Sequence, residues 1–339
     1  MKYVGLIVLV VLGLRGPVAA QTPPSHPAPP TENVTVTGIK DIDAAVSKFV
    51  GDLTAPTRVA GKLARWERGV CPITVGLRPV MAKFVTGRVK EIAAQVGAPV
   101  NREDNCKPNI EIVFTTAPQT LLDNISVMHP YMLGYHDSSA QAAELAAVTH
   151  PIQAWYTTAT DDLRGNPQID SGRSGGMTMQ MAKPGTGIAG SFGASSTPYY
   201  EMNLSNATAR NITGGRLGDG LSSEFNHVVV VGEPAKLLDY EMGTVADYIA
   251  MLALSQPTSL DSCQELPTIL NLLAKDCAMP PKAITLGDIA YLRAIYKTTA
   301  TATFQVQRRE MIYQMDRSLG AQRRCCSGSK TRHKHSGNR

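Results

Sequence analysis

The run VCPITVGL at residues 70–77 alternates apolar side chains as a half-buried strand does. Pro79 then opens a helical pattern carried by Val80, Phe84, Val89, Ile92 and Val96, which Gly97 and Pro99 stop in the order expected of a helix end. NIEIVFT at 109–115 reads as a second strand. A β-α-β order within about 45 residues predicts two parallel strands joined by a right-handed crossover.

Further along the chain, strands are expected at 152–158 (IQAWYTT), 199–204 and 227–232 (HVVVVG). Residues 161–198 are rich in Gly, Ser and Met and read as long hairpin loops. Within them GTGIAG at 185–190 matches the dinucleotide pattern GxGxxG. It neither follows a clear strand nor opens a helix, so it is a turn and no cofactor is expected. TVADYIAMLALS at 244–255 is apolar nearly all round, as an interior helix is. Helices follow at 267–274, at 285–296 behind the cap Thr285-Leu286-Gly287-Asp288, and at 304–319 with Phe304, Met311, Met315 and Leu319 on one face. Strands come first and buried helices second, which makes the class α+β with a mixed sheet.

At the other end, Lys2, an apolar stretch over 4–14 and the small residues Val18, Ala19 and Ala20 form the three parts of a secretory signal cleaved before Gln21. Eleven residues fall short of the roughly twenty needed to cross a membrane. The expected organisation is a signal at 1–20, a Pro-rich linker at 21–40 compatible with a short strand over 33–38, one domain at 41–320 and a basic tail at 321–339 without structure. The net charge of +5 is uneven: the signal carries +2 and residues 308–339 carry +7, leaving the body at −4. An acidic body with a basic tail excludes a nucleic-acid-binding face. The tail is a candidate contact for anionic surfaces, although a solvated tail is the plainer reading.

Six cysteines in an exported chain point to an oxidising compartment, periplasmic or extracellular. Cys71 and Cys106 precede neighbouring parallel strands and are expected to pair. Cys263 and Cys277 bracket the 267–274 helix and form the second expected pair, while Cys325 and Cys326 stay open. There is no CxxC pair, and no histidine lies near the body cysteines, so a metal reading fails on spacing. The sequons at Asn203, Asn206 and Asn211 matter only in a eukaryotic secretory pathway.

The order of elements, together with ITLGDIAYLRAIY at 284–296, resembles the catalytic half of metzincin-type zinc peptidases and the secreted bacterial families of unknown function related to them. The 284–296 segment is similar to the closing helix of matrixin-like domains. The resemblance implies a zincin-like fold. In those peptidases the buried helix carries HExxHxxGxxH; here TVADYIAMLALS holds no histidine, and Asp247 reads as a capping-box acid with Thr244 as N-cap. The family's metal and chemistry are therefore not carried over, and no GxSxG elbow or phosphate loop replaces them.

The body histidines are His129, His136, His150 and His227. His129 and His136 flank a tyrosine-rich loop, and His227 lies three residues after Glu224, a spacing that suits a general base and its orienter. Glu241 precedes the buried helix. Two functions are expected from these residues: an envelope protein that binds an unidentified protein or ligand with its metal site lost, or a hydrolase built on His129, His136, Glu224, His227 and Glu241.

Overall fold

The computed structural model describes residues 39, 41–103, 105–170, 178–182, 199–203 and 219–329. The expected signal, most of the linker with its strand, the GTGIAG turn, Asn206, Asn211 and residues 330–339 lie outside the described residues.

The central strand is β8 (Ser222–Gly232), and the rest of the sheet is arranged around it. The opening unit is β2 (Pro72–Val75), α2 (Pro79–Val96) and β3 (Ile110–Phe114), with the two strands parallel from Pro72–Ile110 to Val75–Val113. β3 pairs in parallel with the second half of β8, and the short β1 (Ala64–Arg65) pairs in parallel with its start. On the other side β4 (Ile152–Asp161) runs antiparallel along the whole of β8, and β5 (Pro167–Ile169) adds to its far edge. The sheet is therefore mixed, as an α+β class requires. A separate antiparallel pair joins β6 (Thr178–Ala182) to β7 (Tyr199–Asn203).

Alternation along β8 sorts its valines between two cores. Val228 and Val230 meet the larger one, built from α1 (Ile42–Leu53), α2, α5 (Met242–Leu254), α6 (Leu286–Lys297) and α7 (Phe304–Ser329). Val229 and Val231 meet a smaller one with Trp155, α3 (Pro118–Met128), a 3-10 turn at Pro130–Leu133 and α4 (Ser139–Leu145). A strand with apolar side chains on both faces needs cover on both, and the helices supply it.

Four sequence expectations change. The apolar face of α2 is rotated: Val80 and Phe84 are exposed, while Val85, Val89, Ile92 and Val96 form the inward stripe at helical spacing and Arg88 on the same face meets a carboxylate on α5. The 267–274 helix is only a 3-10 turn, Ile269–Leu272, because Asn271 ties its side chain to both backbone groups of Gln264. β8 starts at Ser222 rather than His227. α7 runs on to Ser329, past the tail boundary drawn at 320, since Ala321, Gln322, Arg323 and Arg324 are good helix formers and no proline follows.

The structure joins Cys71 to Cys106 and Cys263 to Cys277, with Cα separations of 6.1 and 5.4 Å, inside the range a disulfide needs. Among the described residues no helix is long and apolar enough to cross a membrane.

Candidate functional site

The resemblance would put a metal on α5, and this helix is buried on every side from Thr244 to Leu254. It begins a turn earlier than its sequence suggests, with Glu241 in the N-cap position and making no side-chain cap. This overturns the capping-box reading of Asp247. The Thr244 hydroxyl instead donates to the Lys282 carbonyl at 2.5 Å. Asp247, 2 % exposed, takes the Arg88 Nε–H on Oδ1 at 2.5 Å and the Ile284 N–H on Oδ2 at 2.8 Å. Arg88 is charged and also donates to Glu91 at 2.9 Å. Both carboxylate oxygens of Asp247 are engaged, so the helix has no free acid. Tyr248 and Met251, one turn on, are fully inside the core.

The other polar concentration lies on the opposite sheet face. A register shift between Thr157 and Thr158 leaves Asn226 as an extra residue in β8, opposite no partner. That bulge turns Glu224 and His227, three residues apart, to the same face. They do not form the expected pair. Glu224 is buried and ion-paired with Arg68, whereas the His227 Nε2 stands 3.6 Å from Oε1 of Glu111 on β3. Burial, with the Lys107 charge adding to it, pushes the His227 imidazole down to about 4, so it is neutral at pH 7. Tyr131 closes the cluster from the 3-10 turn: its carbonyl accepts the Thr157 hydroxyl at 3.0 Å. Burial and the Glu111 charge push its phenol up to about 12. His129 packs edge-on to the Tyr131 ring at 6.0 Å between centroids, and burial lowers its pKa.

Two candidates stand elsewhere. His136 turns its Nδ1 to the Gly134 carbonyl at 2.8 Å, and Glu241 starts α5 on the far side of the sheet. Gly134, at φ +95°, fixes this turn against β4, because a Cβ there would come within 2.7 Å of the Tyr156 carbonyl. The structure therefore brings His129 and His227 to one neighbourhood through Tyr131 and Glu111, and leaves His136, Glu224 and Glu241 out of it.

Glu111, Tyr131, Arg88 and Arg68 were missed by sequence reasoning. Glu111 had a signal, as the one charged residue in NIEIVFT, a strand buried over all five residues of β3, and Tyr131 lies in the tyrosine-rich loop between His129 and His136. Beside the Arg68–Glu224 pair, Asp161 at the end of β4 is raised to about 6 by burial and then by the Glu224 charge. It lines an open cleft of about 970 Å³ with Glu67, Asp162, Ser222 and Glu310. Among the described residues no three His, Cys, Asp or Glu side chains are arranged to hold a metal ion.

The chain matches no family model, no curated protein and no solved structure.

What the cluster can do follows from its burial. A general base must reach a substrate proton within about 2.6–3.2 Å. His227 is 4 % exposed and Glu111 7 %, so neither opens onto solvent or onto the cleft. Arranged this way, His227 and Glu111 face each other across β8 and β3 on the side of the smaller core, with no hydrogen bond to the His227 Nε2.

Proposed function

We propose that this chain is an exported binding module with a zincin-like α+β fold and no catalytic metal, acting in the periplasm or outside the cell on an envelope protein or ligand. The observation that carries the reading is the engagement of Asp247, the only acid on α5, by Arg88 and the Ile284 N–H. A zinc peptidase helix needs open, metal-facing ligands on this element. The zincin-like part is supported by the β-α-β opening, the interior helix after β8 and the capped α6. There Thr285 and Asp288 complete a reciprocal capping box. Export is supported by the two disulfides.

The test is metal analysis of the purified chain after dialysis, alongside a peptidase assay with and without chelator. Zinc well below one equivalent and no chelator-sensitive activity are expected. One equivalent of tightly bound zinc that disappears in Asp247→Asn overturns the reading.

One observation favours the hydrolase reading: the His227 Nε2 is buried without a hydrogen-bond partner and faces Glu111. A hydrolytic activity lost in both His227→Gln and Glu111→Gln, with folding intact, selects it over the binding module.

A further inference from the structure

After α5 the chain passes through a loop over residues 256–261 that lies across the start of β4. Between them is a pocket of about 230 Å³, well below the range of a drug-sized site. Most of its polar groups already have partners inside the protein. Gln153 accepts the Thr149 N–H at 2.9 Å and donates to the Ala147 carbonyl at 3.2 Å. The Tyr156 hydroxyl donates to the Leu252 carbonyl, and that of Thr258 to the Asp52 carbonyl.

His150 is different. Its Nδ1 is fixed by the Thr149 hydroxyl at 2.8 Å, while its Nε2 is buried with no hydrogen-bond partner. Oδ1 of Asp261 stands 3.5 Å from that nitrogen, too far for a good hydrogen bond. Ser259 adds a hydroxyl to the same wall, and the half-buried Ala154 and Leu260 supply apolar surface.

This arrangement selects a ligand class. The Lys275 ammonium, 3.1 Å from Asp261, opposes a cation, and Asp261 itself opposes an anion. A serine-nucleophile relay also fails. Asp261 lies on Nε2 and Thr149 on Nδ1, whereas the relay sets nucleophile and carboxylate on opposite nitrogens in the reverse order. What fits is a neutral, compact molecule with several hydroxyls on one side and C–H groups on the other.

We propose that this pocket binds a single pyranose ring of a neutral glycan, with sugar hydroxyls bonded to Asp261, His150 and Ser259 and the ring's C–H face on Ala154 and Leu260. The proposal rests on the binding-module reading and supplies its ligand class.

The experiment is a saturation-transfer NMR titration of the purified chain with the methyl glycosides of glucose, galactose and N-acetylglucosamine. Ethanolamine and acetate serve as charged controls. At least one glycoside is expected to saturate with a Kd of about 1–10 mM. Asp261→Asn and His150→Ala should each weaken it tenfold or more, and Glu67→Gln in the other cleft should leave it unchanged. Asp261 is exposed, so its variant keeps its fold, and an unchanged unfolding midpoint verifies this for both. Absence of saturation with all three glycosides overturns the proposal. So does binding undiminished in both variants, or a preference for ethanolamine or acetate. Zinc content is read on the same sample, so failure of the pocket and failure of the metal-free reading are separate results.

Discussion

Removing the carboxylate of Asp247 tests whether α5 is held by a buried ion pair. Truncating one partner of such a pair costs about 3–5 kcal/mol, because the other charge is left buried. Here Arg88 keeps Glu91 on Nη1, and Glu91 is half exposed, which places the loss at the lower end. Asp247→Ala also strips the Ile284 N–H of its acceptor, and a buried orphan donor costs about 1–3 kcal/mol. The two terms share one carboxylate and do not add fully, so the expected loss is about 4 kcal/mol. For a domain of this size that lowers the melting temperature by about 10 °C. Urea unfolding should show a lower midpoint at unchanged slope. The double variant Arg88→Met with Asp247→Leu should recover the ion-pair part of the loss, since an apolar pair of similar volume removes both charges at once, while the orphaned Ile284 N–H keeps its cost. A single variant within about 1 kcal/mol of the parent refutes this account of α5.

The His227 imidazole, held at about 4 against an ordinary 6.5, binds fewer protons folded than unfolded between those values. Its contribution is therefore present above about 6.5 and lost as pH falls toward 4. Asp161, raised from 3.8 to about 6, has the opposite sign: its contribution is present below 3.8 and lost as pH rises through about 6. Urea midpoints at about pH 4.5 and 6.5 should show less acid loss in His227→Gln and less loss toward pH 6.5 in Asp161→Asn; identical pH profiles in parent and variants refute both assignments. Replacing Cys71 and Cys106 by serine together opens a loop spanning 35 residues and should destabilise by about 3–4 kcal/mol, with peptide mapping under non-reducing conditions recovering the linked pair from the parent. Thr285→Ala breaks the capping box of α6 and should lower stability by about 1 kcal/mol; an unchanged melting curve contradicts the reciprocal bonds.

The parts of the fold that could be read from sequence are those set by local periodicity. The βαβ unit shows its own alternation, proline start and glycine stop, and α5 is apolar all round, so both were legible in residues 70–115 and 244–255. α1 carries a signal of the same kind, with Asp41 as N-cap and Ile42, Val46, Phe49, Val50 and Leu53 at helical spacing, whereas α3 and α4 do not. In α3 only Leu122 and Ile125 are buried, and two inward positions do not make a periodicity. The site was less legible for a different reason. His227 and Glu224 share a face because of the bulge at Asn226, and which carboxylate His227 meets depends on the pairing of β3 with β8. Those strands are separated by more than a hundred residues, and nothing near either one reports their register. The same holds for Arg88 and Asp247: a lone arginine among apolar helix positions hints at a buried partner without naming it.

The central position of β8 also sets the order in which this chain can fold. The β2–β3 pair and the β4–β5 pair are joined only through β8, so until residue 232 has left the ribosome β3 and β4 each have a bare hydrogen-bonding edge. Those edges include IEIVF and AWYTTAT, short apolar and β-branched runs of the kind that pair with whatever strand is nearest. No amino-terminal fragment ending before β8 can close the sheet. The sheet stays open until β8 has been made, and a holdase that shields residues 110–161 during that interval would raise the yield of native protein more than one acting on the finished domain.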